Sequence, residues 1–347
     1  MRAWVSCTAA EGKDYMLIGL CAAILVAAAL HLAQSIFAPV AFAIFLIALV
    51  WPVQRRLARF APAGLAMLVA MLVALVTVMV LALLIAWAFG GVGQWIISNS
   101  GQIQLLYARK IALLEEQGIA VAALLSDGFT SRWLVVIAQE VTGRLHGILA
   151  FSIVTVVFLV LGLLEVTAVD RQLSRMPGDV APRLRQAAVE TAGKFRSYMA
   201  VRTLISVVVG LAVWGFARLM GLDLAAEWGV IAFVLNYIPF IGPLVATLFP
   251  TIFAILQFES WQTAVVIFLC LNVIQSVSGS YIEPLMAGKR LAVSPFMVLL
   301  AVFFGAFLWG VPGAFIGVPV LIAALTVCRQ FEGSRWVAAL LSGQEDA

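Results

Sequence analysis

Long apolar runs recur from residue 16 to residue 328 with few charges inside them. A chain patterned in this way folds where hydrocarbon, rather than water, is its main solvent. Of its 347 residues, 64% are hydrophobic and 11% charged, and the mean hydropathy is +1.11. Soluble domains average about 45–50% apolar and about 25% charged residues, so a soluble enzyme is excluded and an all-α polytopic membrane protein is expected. The net charge of +4 and pI near 9.0 are read as basic cytoplasmic segments, and no nucleic-acid partner is implied. Cys7, Cys21, Cys270 and Cys328 are too scattered for a metal knuckle or a disulfide framework and are read as packing residues.

About eight membrane segments are expected. Residues 16–33 and 36–51 read as two antiparallel spans joined at Gln34-Ser35, the first a retained signal anchor because its apolar stretch exceeds a signal peptide's and another span follows at once. Further spans are expected at 62–89 and 148–169. The intervening 90–147 mixes Trp95, Leu105 and Ile111 with Arg109, Lys110 and Glu115 at helical spacings. It is expected to form amphipathic helices outside the cytoplasm, with turns at Gly90-Gly91 and Gly128. Residues 170–202 carry seven Lys or Arg, including Arg171, Arg185, Lys194 and Arg202, and read as a basic cytoplasmic loop. Arg55, Arg56 and Arg59 fall on that same side, which puts the N-terminus in the cytoplasm. The expected divisions are 1–89, 90–147, 148–169, 170–202, the C-terminal membrane region 203–328, and a cytoplasmic tail at 329–347.

A fifth span at 203–220 leaves Asp223 and Glu227 at the opposite surface as helix-start charges. The segments 224–258 and 293–328 would each be about 50 Å long as single helices, against roughly 30 Å of hydrocarbon. Each is interrupted near its middle: the first by Ile238-Pro239-Phe240-Ile241-Gly242-Pro243, the second by Gly310-Val311-Pro312-Gly313. Two re-entrant or sharply bent pairs of half-helices are therefore expected. A re-entrant 224–258, followed by a span at 261–282, would place Lys289 and Arg290 in the cytoplasm, as basic residues prefer. Phe240-Ile241-Gly242-Pro243-Leu244-Val245 is also faintly echoed by Phe315-Ile316-Gly317-Val318-Pro319-Val320.

Irregular backbone at membrane depth is tolerated where protein covers it or a wet cavity adjoins it. That makes Asn236, Tyr237, Pro239, Gly242 and Pro243 candidates for a substrate pathway, or else a proline hinge satisfied by its neighbours. On the next span, Asn272, Gln275, Ser276, Gly279 and Glu283 fall on one face of an ideal helix. They read either as the lining of a polar route or as hydrogen-bonding glue, with Glu283 paired to Lys289 or Arg290. Glu165 is a candidate coupling carboxylate or an interfacial partner of Arg171. His31 and His146 are read as interfacial, and no metal or cofactor is expected. The chain has no phosphate-binding G-x-x-x-x-G-K-[ST] loop and no H-E-x-x-H motif, and no histidine follows the serine-rich run 276–280 to act as a base.

The run Leu235-Asn236-Tyr237-Ile238-Pro239-Phe240-Ile241-Gly242-Pro243, with Pro250, resembles the signature of the bacterial autoinducer-2 exporter-like transporter family. So do Tyr281 to Pro295, which include Glu283-Pro284 and Gly288, and the stretch from Gly310 to Pro319. The layout of spans is similar over nearly the whole chain. The resemblance implies an inner-membrane permease, homo-oligomeric, whose motif positions are Pro239, Gly242, Pro243, Glu283, Pro284 and Gly288. The family is named for export of autoinducer-2, and some members are described as sodium/proton antiporters. The leading expectation is a secondary transporter that exports a small polar solute such as autoinducer-2. A cation/proton antiporter, moving H+ or Na+ through Glu283 or Glu165, and a scaffold without cargo stand as the alternatives.

Overall fold

The computed structural model describes residues 2–105, 131–175, 180–258, 260–287 and 293–342. It is helical throughout, with no strand among the described residues: α1 (Arg2–Leu32), α2 (Gln34–Leu57), α3 (Ala63–Ser98), α4 (Ser131–Leu173), α5 (Val180–Leu219), α6 (Ala225–Leu235), α7 (Ile241–Phe258), α8 (Trp261–Val277), α9 (Glu283–Ala287), α10 (Pro295–Gln330) and α11 (Arg335–Ser342). Seven of these helices hold stretches long and apolar enough to cross a membrane, and two shorter apolar helices, Leu17–Leu32 and Ala225–Leu235, accompany them. The chain is an all-α polytopic membrane protein.

Several expected boundaries shift. Only Ala33 separates α1 from α2, and the N–H groups of Ile36 and Phe37 both bond to its carbonyl. One residue bends the path without reversing it, so these helices meet end to end and not as an antiparallel pair. The third span does not turn at Gly90-Gly91 but runs on to Ser98. Gly91 packs against the Glu227 side chain, which a Cβ there would meet at 3.2 Å. Gly128 lies outside the described residues. Nor is the basic stretch a loop: from Val180 onward it is the first half of the 40-residue helix α5. Its alanines, its arginines and Gln186 are strong helix formers, so the helix extends beyond the hydrocarbon.

Both broken segments are hairpins. In the first, the Asp223 N–H donates to Gln257 Oε1 at 2.8 Å and Gln257 Nε2 donates to the Gly221 carbonyl at 2.9 Å, which holds the two ends together. The Trp228 and Phe253 rings lie 5.2 Å apart between the arms. The reversal at the tip uses Phe240 in the left-handed region (φ 62°), a conformation that costs a non-glycine residue about 1 kcal/mol or more. In the second, Trp309 (φ −136°) and Gly310 (φ 63°, ψ −142°) break α10. The arms then close so tightly that Gly313 faces the Gly305 carbonyl and Gly317 faces that of Ala301. The two glycines in the faint echo thus do the same work, since Gly242 sits on the Leu235 carbonyl as Gly317 sits on Ala301's.

The hairpins enter from opposite ends of α5. The mouth of the first lies at Gly221, just past the end of α5, where Trp95 Nε1 donates to Asp223 Oδ2 at 3.3 Å. The second is fastened near the start of α5: Lys194 Nζ donates to Thr326 Oγ1 and Gln330 Nε2 to Glu190 Oε2, both at 3.2 Å. At that same basic end Asp170 of α4 joins Arg55 of α2 at 3.5 Å and Arg185 of α5 at 2.9 Å. Between the ends, one buried cluster packs Ile205, Val209 and Val213 of α5 against Trp228, Ile231 and Phe253 of the first hairpin and Ile267 and Leu271 of α8. Another joins Phe45, Phe195 and Tyr198 to Ile238 at the first tip and Ile316 and Ile322 of the second hairpin.

Candidate functional site

Most of the backbone N–H groups around the break at 236–240 are paired. The N–H groups of Asn236, Tyr237, Ile238, Ile241 and Gly242 all find carbonyl partners within the turn. Pro239 has no N–H to place, and Pro243 lies in the first turn of α7, where a missing N–H costs little. The polar character of the tip therefore rests on its side chains. Buried Asn236 donates through Nδ2 to Ser206 Oγ at 3.0 Å, and Tyr237 donates its hydroxyl to Thr203 Oγ1 at 2.9 Å. The Tyr237 ring stacks on Phe315 of the second hairpin, with centroids 5.1 Å apart, so the first tip rests on the returning arm of the second.

The stripe expected on α8 is not one face. Ala264, Ile267, Leu271, Gln275 and Ser278 are the buried positions. Asn272 is half-buried and its amide donates to its own helix, at the Phe268 carbonyl, while Ser276 and Gly279 are exposed. Up to Val277 the helix is regular and Asn272 and Ser276 simply lie to one side of the buried line through Gln275; beyond it Ser278–Ile282 forms a π-turn, whose extra residue rotates everything after it. Past that turn Glu283 reaches Arg202 Nη1 at 2.9 Å. Pro284 follows in the first turn of α9. The expected partners Lys289 and Arg290, and Gly288, lie outside the described residues.

Arg202 is the residue that the charge pattern concealed. It reads as the last cation of a basic stretch, yet it is 6% exposed, whereas its partner Glu283 keeps 38% of its side chain exposed. Tyr198, one turn earlier on α5, lies with its ring 6.0 Å from the guanidinium. The hydroxyl of Tyr198, Nε of Arg202 and both amide atoms of Gln275 are buried without a hydrogen-bond partner among the described residues. Tyr198, Arg202 and Ser206 recur every four residues, on the α5 face turned toward the tip and α8. That spacing, running from a basic stretch into an apolar one, is the signal that would have found them.

Other candidates lie apart from this seam. Glu165 is exposed and pairs with nothing among the described residues; the interfacial partnership expected for it belongs instead to Asp170. His31 stacks on Phe307 at 5.1 Å, and its Nδ1 donates to the Leu308 carbonyl at 3.2 Å, which places it at the tip of the second hairpin. His146 has no described side chain. Cys21, Cys270 and Cys328 carry free thiols.

Two hairpins entering from opposite ends, with the tip of the first resting on the returning arm of the second beside a buried polar seam, are an arrangement suited to moving a solute across a bilayer. The chain matches the AI-2E family transporter description over residues 20–333 and belongs to that family. It is 28% identical over 322 residues to a "Putative transport protein" of Borreliella burgdorferi, an alignment covering 91% of this chain and 87% of the relative. It is 24% identical over 336 residues, 95% of each chain, to the AI-2 transport protein TqsA of Escherichia coli (strain K12). Membership of a transporter family implies a small solute as substrate.

Proposed function

We propose that this protein is a secondary transporter of the bacterial inner membrane that exports a small polar solute, with autoinducer-2 the leading candidate. The solute passes along the seam between α5, the first hairpin tip and α8. The observation that carries this reading is the uncompensated polarity of that seam: Gln275 is buried with no partner for either amide atom among the described residues. Burying an amide without hydrogen bonds costs roughly 1–3 kcal/mol, a penalty that is relieved when a polar solute or water enters. Asn236, Tyr237, Arg202 and Glu283 supply further donors and acceptors along the same path. The basic end, where Arg55, Asp170 and Arg185 meet, faces the cytoplasm in this reading, together with both termini.

The test is accumulation of labelled autoinducer-2 in inverted membrane vesicles, with and without a proton ionophore. Wild-type protein should accumulate label in an ionophore-sensitive manner, and Gln275→Leu should lose this while inserting normally. Full accumulation by the inserted variant would remove Gln275, and the seam with it, from the pathway. A second reading, cation/proton exchange, is favoured by the exposed half of Glu283, a carboxylate reachable from outside the seam. Glu283→Gln would abolish pH-dependent ion exchange but need not stop export of a neutral solute.

A further inference from the structure

We propose that Arg202 is an exchangeable anion site, at which a carboxylate or phosphate group of the transported solute replaces Glu283 on the guanidinium. The inference rests on the transport reading above and narrows it, since the solute that docks here carries a carboxylate or phosphate in place of the neutral solute considered there.

Glu283 uses little of what Arg202 offers. A guanidinium carries five N–H groups in a planar fork that matches a two-oxygen anion. The structure shows one bond from it to Glu283, from Nη1 to Oε2 at 2.9 Å, while Nε is buried and has no partner among the described residues. The Tyr198 hydroxyl beside it is also buried and donates to no acceptor among the described residues. Two donors therefore stand next to an ion pair made through a single contact, an unfinished shell that a bidentate anion would complete.

The two halves of the pair are not equally held. Arg202 is enclosed within α5, whereas Glu283 is partly exposed and begins a five-residue helix directly after a π-turn. Glu283 is thus the partner that can leave. Once it leaves, charge decides what can take its place. A neutral or cationic solute would strand a buried guanidinium with no counter-charge, at a cost of several kcal/mol. An anion replaces the carboxylate like for like. Glu283 then serves as the built-in occupant that keeps Arg202 neutralised between transport cycles and competes with the solute during them.

The test uses the full-length purified protein in detergent, with thermal unfolding followed as lactate or inorganic phosphate replaces chloride at constant ionic strength. Saturable stabilisation by lactate alone would identify a carboxylate site, and by phosphate alone a phosphate site. In Glu283→Gln the competitor is gone, so half-saturation should fall about tenfold or more. In Arg202→Gln/Glu283→Gln, which leaves no unpaired charge and so preserves folding, saturation should vanish. Equal half-saturation in wild type and Glu283→Gln would overturn the proposal. So would saturation that survives in the double variant, or no saturable effect of either anion on folded Glu283→Gln. If the anion titrations fail while vesicles still accumulate labelled solute, the transport reading stands and only the anion site falls.

Discussion

Substituting Gly242 by alanine tests whether the first hairpin is held shut by backbone contact at its tip. A Cβ at this position would land on the Leu235 carbonyl oxygen, with the Leu235 carbon at 2.6 Å and the Asn236 nitrogen at 3.3 Å. All three are backbone atoms at the end of α6, and no flexible side chain can swing aside to make room. The tip must therefore open. Opening draws Asn236 away from Ser206, Tyr237 away from Thr203, and the Tyr237 ring off Phe315. Interhelical hydrogen bonds in membranes are worth about 0.6 kcal/mol each and an aromatic pair about 1 kcal/mol, while overpacking adds roughly 1–3 kcal/mol. The combined loss is roughly 3–5 kcal/mol, a large part of the stability of an ordinary fold. Thermal unfolding of the purified protein, followed by tryptophan fluorescence, should show a fall in Tm of at least about 5 °C. Gly215→Ala in α5 is the matched control, since nothing lies within 4 Å of a Cβ there; it should unfold at or slightly above the wild-type temperature. A Gly242→Ala protein that melts with wild type would refute the close approach on which the hairpin depends.

Gly313→Leu should open the second hairpin in the same way, because the side chain would run into the Gly305 carbonyl and the Trp309 side chain; limited proteolysis of the purified variant should detect it. Gln275→Leu should raise the melting temperature, by removing two buried polar atoms that have no partner among the described residues, while transport is lost. A variant both less stable and fully active would contradict the role given to this residue. Asp170→Asn should cost no more than about 1 kcal/mol, since Arg55 and Arg185 are half-exposed, and the difference should shrink in high salt. In a cysteine-free background, Arg56→Cys and Arg218→Cys should react with impermeant thiol reagents from opposite faces of the membrane. Labelling of both from one face would overturn the arrangement of α5.

The candidate site was only partly legible. Asn236 and Tyr237 stand out because a Pro-Phe-Ile-Gly-Pro run inside an apolar segment has no regular helical solution, and the chain does break there. Glu283 stands out as an acid on a membrane span. Its partner does not, because Arg202 belongs in sequence to a basic stretch and becomes a buried residue only when α5 continues as one helix through it. Asn272 and Ser276 were grouped with Gln275 by helical spacing, but only the Gln275 edge of that stripe packs inward, and the π-turn at Ser278–Ile282 then redirects Glu283. One-dimensional spacing carries a residue's direction only as far as the helix stays regular.

Hydrophobic patterning alone determined that this chain is a bundle of membrane helices, because hydrocarbon cannot satisfy a backbone amide and each apolar run must bond within itself. The same pattern determined that 224–258 and 293–328 must break, since bilayer thickness and the absent proline N–H are local constraints. Whether those segments cross or return, and from which end, was decided by tertiary contacts: Gln257 on Gly221 and Asp223, Gly317 on Ala301, and Lys194 on Thr326. The pairing of Arg202 with Glu283, 81 residues apart, belongs to that second kind of information. Local preferences act over a few residues, whereas a buried charge finds its counter-charge wherever packing brings one within reach.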